Sequence, residues 1–275
     1  MLKQILKNLV ADKKRTGAPD FVIRNFLKEY LQYPVLEFIY NNPDYKRLIF
    51  TGGSCLKICY DAPRLSEDLD FDLLEKDYRK LNLEKLAKDL EEFFKKNYLL
   101  KIAVKCQGKT RIYLKFPLLK ELGLAKAAES DWLYVKIEPS KTFFRNSEIE
   151  LTPVSRYGFN FLAKNYSLKF LMTGKIYAIF SRQWFKGEGN VIDIKGRDFY
   201  DLFWYFQKKA EPDYKNLKRL TGISNEEELK EKLKIRIEKD VTPQKLSYDL
   251  KNFFPDQPFV ADFCKNYKKI MGKYL

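Results

Sequence analysis

Histidine is absent from the 275 residues of this chain. Its absence excludes Ser-His-Asp and Cys-His nucleophilic catalysis, and also general-base catalysis by an imidazole. Cysteine is scarce as well: Cys55, Cys59, Cys106 and Cys264 form no Cys-x-x-Cys pair, so we do not expect a structural zinc site. Any catalysis must therefore depend on carboxylates, on Lys or Arg side chains, or on a bound metal ion.

Long apolar runs are missing too. No stretch approaches the roughly 20 apolar residues that a membrane-spanning helix needs. The first ten residues lack the apolar core and cleavage site of a signal peptide. We therefore expect no membrane partner and a cytoplasmic location.

Positive charge, in contrast, is in excess. The 52 Lys and Arg residues outnumber the 37 Asp and Glu residues, which gives a net charge of +15. This excess favours a polyanionic partner such as RNA. A generally lysine-rich composition explains it equally well.

Residues 48–60 predict a strand, a tight turn and a helix. The apolar run Leu48-Ile49-Phe50 ends at Gly52-Gly53, and Ser54 is a suitable N-cap for the helical spacing that follows. The free N–H groups of such a turn and helix start suit a phosphate group. The alternative is a glycine turn without a ligand.

A second predicted strand follows, with alternating carboxylates. Asp68, Asp70 and Asp72 alternate with Leu69 and Phe71, so a period of two places the three carboxylates on one face. Like charges this close need a cation between them. Hard oxygen ligands beside a phosphate-binding turn indicate Mg²⁺ bound with a nucleoside triphosphate (NTP). The alternative is a solvated edge strand whose charges limit aggregation.

Together the two motifs resemble the signature of a known family. Residues 50–54 (Phe-Thr-Gly-Gly-Ser) and 64–71 (Arg-Leu-Ser-Glu-Asp-Leu-Asp-Phe) are similar to the AbiEii/AbiGii toxins, a branch of the DNA polymerase β-like nucleotidyltransferase superfamily. Two later blocks, residues 175–182 and 197–202, extend the resemblance from about residue 20 to about residue 206. The resemblance implies an α+β fold, with a polymerase β-like core of a small mixed sheet flanked by helices and a helical C-terminal lobe.

The resemblance also implies roles for particular side chains. The triphosphate cradle would consist of Gly52, Gly53 and Ser54, with Ser66 positioning the nucleotide or the aspartate loop. Asp68 and Asp70 would hold Mg²⁺, or Mn²⁺ as an alternative. Such folds place a third carboxylate on a neighbouring strand. Glu138 is the best positional match and Asp131 the runner-up, while an ordinary strand-end glutamate is an equal alternative.

The later blocks add three candidates. Lys175 and Arg182 are seven residues apart in a helix predicted at residues 169–185, so they share a face that suits a triphosphate; the alternative is a solvated basic stripe. In the family the block lysine and an aspartate of the last block are functional. These positions correspond to Lys175 and Asp198. Capping of a helix start is the alternative role for Asp198.

Residues 139–168 contain Pro139, Pro153, Gly158 and several Ser and Asn residues, and we expect a linker there. We place a nucleotidyltransferase core lobe at residues 1–150. A mostly helical lobe at 151–275 would complete the nucleotide site.

The resemblance implies a Mg²⁺-dependent nucleotidyltransferase that moves a nucleoside monophosphate from an NTP to an acceptor hydroxyl, on a tRNA 3′ end or on a protein. The net charge favours RNA. The enzyme would be the toxin of a toxin–antitoxin or abortive-infection (phage defence) system, with an antitoxin partner. One alternative is a non-catalytic RNA- or partner-binding protein with the same fold, and another is a metal-dependent nuclease.

Overall fold

The computed structural model describes residues 2–187, 189 and 191–275. Contacts divide them into two compact units. The first unit contains the residues through Phe143 together with Ile149–Tyr166, and the second contains Phe144–Glu148 and Ser167–Leu275.

The first unit combines helices and strands. Its helices are α1 (Leu2–Arg15), α2 (Asp20–Asn41), α3 (Gly52–Tyr60), α4 (Glu75–Tyr78) and α5 (Leu83–Tyr98). Its strands are β1 (Ile49–Thr51), β2 (Asp68–Leu73), β3 (Ala103–Gln107), β4 (Arg111–Pro117), β5 (Trp132–Lys141), β6 (Ile149–Arg156) and β7 (Phe159–Tyr166).

These strands form one mixed sheet. Across the described part of the chain, its seven strands lie in the order β3-β4-β5-β2-β1-β7-β6. The β2–β5 and β1–β7 pairs are parallel, and the others are antiparallel. The α+β class and the mixed sheet flanked by helices are therefore confirmed.

Alternation along the strands builds the core of this unit. In β2, Leu69, Phe71 and Leu73 are fully buried, since residues two apart share a face. In α5, Leu90 and Phe94 are equally buried on the helix face that packs against β3 and β4. Each such side chain contributes about 1.5–3 kcal/mol of stability relative to an exposed one. This burial stabilises the sheet that carries the candidate site.

The linker expected at residues 139–168 is wrong. Strand β5 continues to Lys141, and β6 and β7 form an antiparallel hairpin that joins the sheet through β7. Pro153 is compatible with β6 because that strand lies at the sheet edge, the position in which sheets tolerate proline. The predicted division of function between two lobes at residue 150 stays a prediction.

The second unit is helical. It consists of α6 (Leu168–Ser181), α7 (Gly196–Gln207), α8 (Tyr214–Thr221), α9 (Glu226–Asp240), α10 (Pro243–Leu250) and α11 (Gln257–Met271). Side chains at four helix starts accept an N–H from the first turn, as capping requires: Asp213, Asn225, Thr242 and Asp256. The short segment from residue 144 to 148 belongs to this unit because Phe144 packs edge-on against Phe170, with ring centroids 5.2 Å apart.

None of the described helices combines the length and the apolar character needed to cross a membrane.

Candidate active site

Gly52 and Gly53 allow β1 to pass directly into α3 against polar side chains. Gly52 has a φ of +75°, in the left-handed region that glycine adopts without strain. A Cβ atom at Gly52 would overlap the carboxylate of Asp70. A Cβ atom at Gly53 would lie 2.5 Å from Nη2 of Arg64 and 3.0 Å from Oγ of Ser66. The two glycines thus bring the start of α3 against the residues of the second motif.

Ser54 is not the N-cap that its sequence position predicts. Helix α3 begins at Gly52, with Thr51 in the N-cap position, because the left-handed Gly52 turns the chain within one residue. Ser54 is buried in the first turn, and its hydroxyl donates a hydrogen bond to the backbone carbonyl of Asp68. It therefore ties the helix start to the strand that carries the aspartates. A phosphate contact by Ser54 stays a prediction.

The parallel register of β2 and β5 places charged residues side by side. Asp68 lies opposite Lys136, and Asp70 lies opposite Glu138. The Lys136 Nζ is 3.0 Å from Oδ2 of Asp68 and 3.0 Å from Oε2 of Glu138. Arg111 of β4 forms a second ion pair with Glu138. Carboxylates of two neighbouring strands therefore share the Lys136 ammonium.

Burial and the ion pairs have opposite effects on the pKa values of Asp68 and Lys136. Burial raises the pKa of Asp68, repulsion by Glu67 adds to the rise, and Lys136 opposes it. Burial lowers the pKa of Lys136, but Asp68 and Glu138 outweigh burial and the net shift is upward. Lys136 is therefore a stable cation at neutral pH.

Two other carboxylates have structural partners. Asp72 is buried and accepts hydrogen bonds from the Ser140 hydroxyl at 2.6 Å and the Tyr166 hydroxyl at 2.9 Å. Asp131 precedes β5 and accepts the backbone N–H of Lys120 at 2.7 Å. The register with Asp70 favours Glu138 over Asp131 as the third carboxylate.

The carboxylates fit a divalent metal in their chemistry. Asp68, Asp70 and Glu138 offer the hard oxygen ligands that Mg²⁺ and Mn²⁺ prefer, and the bridging ammonium of Lys136 shows that two of them hold a cation. Within the described ranges, no three acidic or cysteine side chains converge closely enough to bind a metal ion. Mg²⁺ usually takes only one or two carboxylates together with substrate phosphates, so Asp68 and Asp70 would be sufficient protein ligands for a metal that arrives with a triphosphate.

A second charged cluster lies in the helical unit, where α6 meets α7. The Lys175 Nζ is 2.7 Å from Oδ1 of Asp198 and 2.8 Å from Oδ2 of Asp201. Arg182 pairs with the other oxygen of Asp198. Helix α6 ends at Ser181 instead of the predicted residue 185, so Arg182 follows the helix, yet it reaches the same aspartate as Lys175.

Asp198 is not the N-cap of α7. Lys195 holds that position, and Asp198 lies in the buried first turn. Burial raises the pKa of Asp198, but Lys175, Arg182 and Lys195 outweigh burial and hold it well below its usual range. Burial lowers the pKa of Lys195 to about 8, and repulsion by Arg197 contributes. Asp198 is therefore a permanent anion within a group of cations.

In the first unit, the structure brings together the predicted residues Gly52, Gly53, Ser54, Ser66, Asp68, Asp70 and Glu138. In the second unit, it brings together Lys175, Arg182 and Asp198. Four residues in these clusters were not predicted as site residues: Arg111, Lys136, Lys195 and Asp201. Asp201 is three residues from Asp198 in a helix, and Lys136 is two residues from Glu138 in a strand, so each shares a face with a predicted site residue. No spacing within the sequence indicates Arg111.

Comparisons with known proteins agree with the motifs. A model of the nucleotidyl transferase AbiEii toxins, type IV toxin–antitoxin system, matches residues 35–275. The chain is similar to the solved structure of MenT4, a nucleotidyltransferase toxin from Mycobacterium tuberculosis H37Rv, with a TM-score of 0.55 and 14% identity over 97% of this chain and 89% of that chain. This likeness shows the fold alone.

The solved structure of JHP933 from Helicobacter pylori is 18% identical over 90% of this chain and 92% of its own, with a TM-score of 0.49. None of the curated proteins matches the chain. Because the family match spans most of the sequence, the chain belongs to the AbiEii family of nucleotidyltransferase toxins of type IV toxin–antitoxin systems.

Proposed function

We propose that this toxin transfers a nucleoside monophosphate from an NTP to the 3′ hydroxyl of a tRNA, with Mg²⁺ as its metal and Mn²⁺ as a substitute. The register of β2 and β5 carries the proposal. It sets Asp70 beside Glu138 and Asp68 beside Lys136, on the sheet that the start of α3 adjoins at Gly52.

In this proposal the first unit binds the triphosphate and activates the acceptor. The backbone N–H groups at Gly52, Gly53 and Ser54 bind phosphate oxygens at the helix start, and Ser66 positions the nucleotide. A metal ion held by Asp68 and Asp70 would offset charge on the phosphates and the leaving pyrophosphate. Glu138 accepts the proton of the attacking hydroxyl.

The cluster of the second unit has a phosphate-binding role in this proposal. Lys175 and Arg182 donate to phosphate oxygens, since charge-assisted hydrogen bonds are the strong ones. Asp198 and Asp201 fix the direction of the Lys175 side chain through the two ion pairs at 2.7 and 2.8 Å. Asp198 is thus a positioning residue.

The acceptor is assigned from charge. A net charge of +15 attracts a polyanion, and this supports tRNA over a protein hydroxyl. A tRNA acceptor implies a cytoplasmic enzyme. Transfer to tRNA would stop growth in an abortive response to phage, and the antitoxin of the type IV system would counter it.

The test is transfer of label from each α-³²P NTP, in turn, to total tRNA in the presence of Mg²⁺. The protein is compared with Asp68→Asn, Asp70→Asn and the surface control Asp12→Asn. We expect label on tRNA with the wild type and with Asp12→Asn, and at least a hundredfold less with the other two, because each removes an ionised oxygen ligand.

The other outcomes separate the alternatives. Label on a protein would identify a protein acceptor. Shortened tRNA without label, formed in the absence of any NTP, would identify a nuclease. Unchanged transfer by Asp68→Asn would refute the metal site, and a wild type that binds no NTP would support a non-catalytic binding protein.

A further inference from the structure

One face of the outer strands β3, β4 and β5 presents aromatic rings and cations to solvent. In β4, Ile112, Leu114 and Phe116 are buried. Arg111, Tyr113 and Lys115 alternate with them and are exposed or half-buried. Because successive side chains point to opposite faces, these three residues share the outer face of the strand.

The same alternation continues in β5. Leu133, Val135 and Ile137 are buried, whereas Trp132 and Tyr134 are 36% and 38% exposed. Exposed Trp and Tyr rings offer flat apolar surfaces on which another aromatic system can stack. Two such rings lie here two residues apart on a single strand face, so the face suits a ligand with flat apolar surfaces.

The strand register interleaves these rings with cations. Lys115 lies opposite Tyr134, and Tyr113 lies opposite Lys136 on β5 and Lys105 on β3. The Lys115 Nζ is 5.8 Å from the centroid of the Tyr134 ring. The rings of Tyr113 and Tyr134 lie edge to face, with centroids 6.5 Å apart. Tyr113 and Tyr134 therefore each have an ammonium group as a cross-strand neighbour, whereas Trp132 lies opposite Pro117.

This face leads directly to the candidate metal site. Lys136 is at once the cross-strand neighbour of Tyr113 and the cation 3.0 Å from Asp68. Glu138, at the same end of the face, is paired with Lys136 and Arg111, so two cations offset its negative charge where an incoming anion would arrive. A strand of nucleotides on this face would end beside the carboxylates.

We propose that this surface binds the single-stranded 3′ end of the acceptor RNA. We call it the aromatic face, and it consists of Lys105, Arg111, Tyr113, Lys115, Trp132 and Tyr134. The inference rests on the proposed transfer to RNA and specifies where the acceptor binds. Unpaired bases stack on exposed rings while ammonium groups contact the phosphates, the combination by which proteins bind single strands. Paired bases cannot stack on these rings, so the face selects an unpaired end over a duplex.

The first test is binding in the absence of NTP. Fluorescence anisotropy follows a 12-nucleotide single-stranded RNA labelled with fluorescein at its 5′ end, and a 12-base-pair duplex with the same label. We expect Tyr134→Ala and Trp132→Ala each to raise the Kd for the single strand by roughly 5- to 100-fold, since one stacked base contributes that much. Trp132→Phe should stay within about threefold of the wild type, because it keeps a ring. The matched control is Tyr248→Ala, which removes a ring 41% exposed in the second unit.

The second test uses the label-transfer assay and the full chain. Tyr134→Ala should raise the KM for tRNA by a factor similar to its loss of RNA binding, with the KM for NTP unchanged. Near-ultraviolet circular dichroism reports whether the variants keep their tertiary packing, and Tyr134→Phe provides a second ring-preserving variant.

The outcomes separate this inference from the proposed function. If the wild type binds the single strand through these rings but transfers no label to RNA, the aromatic face stands and the proposed reaction fails. If the wild type labels tRNA while Tyr134→Ala and Trp132→Ala bind and transfer normally, the reaction stands and the aromatic face is wrong. Wild-type protein that does not bind the single strand, or binds the duplex equally well, also overturns the inference.

Discussion

Two requirements meet at Gly52, a left-handed backbone and close approach to the Asp70 carboxylate. Gly222 has nearly the same conformation, with φ of +79°, but a Cβ atom added there would meet open space. Each Gly→Ala change costs about 1–2 kcal/mol for the backbone alone. Only Gly52→Ala also displaces a proposed metal ligand.

We therefore expect Gly52→Ala to lose at least about 1 kcal/mol more unfolding free energy than Gly222→Ala, and to abolish transfer. Urea unfolding and the label-transfer assay measure the two effects. Gly222→Ala should keep wild-type activity. Equal losses of stability and activity in the two variants would contradict the contact with Asp70.

Lys195 makes stability depend on alkaline pH. Its folded pKa of about 8 lies below the ordinary lysine value of about 10.4. Below pH 8 the folded and unfolded chains both hold the proton. Between about pH 8 and 10.4 only the unfolded chain holds it, so a rise in pH favours the folded state over that window.

We expect Lys195→Met to remove this slope. The unfolding free energy of the variant minus that of the wild type should fall by roughly 1–3 kcal/mol from pH 7 to pH 10. The fall occurs because the wild type gains stability over this range and the variant does not. Urea unfolding at several pH values measures it, with the exposed Lys234→Met as the control. A difference that is constant with pH would show that Lys195 is not perturbed.

Local sequence was sufficient for part of the site. Gly52, Gly53, Asp68 and Asp70 belong to short motifs in which spacing along one strand or turn sets their neighbours. Arg111 reaches Glu138 only because β4 pairs with β5, and no spacing within the sequence encodes that pairing. Residues that reach the site only through strand pairing could therefore not be predicted from the motifs.

At the element scale, the ion pairs of Lys175 join α6 to α7. The side chains of Asp198 and Asp201 are 5% and 1% exposed. Removing one partner of a buried ion pair costs about 3–5 kcal/mol, because the remaining charge stays in a poorly solvated place.

We expect Lys175→Met to lower the unfolding free energy by about 3 kcal/mol or more. Adding Asp201→Leu should restore at least about 1 kcal/mol of it, while Arg182 continues to pair with Asp198. The control Lys96→Met breaks an exposed helical pair with Glu92 and should cost less than about 0.5 kcal/mol. Urea unfolding measures these differences. If the double variant recovers no unfolding free energy, Lys175 does not stabilise the fold by neutralising Asp201.

Elements with a strong period were predicted closely. The apolar stripe of residues 82–96 predicts a helix, and residues 101–106 and 111–116, separated by Gly108, predict a hairpin. Helix α5 and strands β3 and β4 lie within two residues of these bounds. The hairpin of β6 and β7 was expected to be a linker from its prolines, glycine and polar residues. Phe159, Phe161 and Ala163 do alternate in burial along β7, but the composition of residues 139–158 outweighed that signal.

At the scale of the whole molecule, the first unit is discontinuous in sequence. Strand β1, which carries the glycine turn, lies between β2 and β7. A fragment of residues 1–150 lacks β7, and a fragment of residues 1–166 contains the complete sheet.

We expect the 1–166 fragment to unfold cooperatively in urea and the 1–150 fragment to lack a cooperative transition, because removing β7 exposes both β1 and the apolar residues that β7 buries. Far-ultraviolet circular dichroism during the titration distinguishes the two. A cooperative transition in the shorter fragment would show that the sheet does not need β7.

The position of β1 between β2 and β7 also sets an order of events on the ribosome. Phe50 of β1 pairs with Asn165 of β7, more than a hundred residues later. At about 5–20 residues per second, the ribosome needs at least about 5 s to make the second partner after the first. A nascent chain that stalls before Tyr166 therefore has its glycine turn on a strand with a neighbour on one side only.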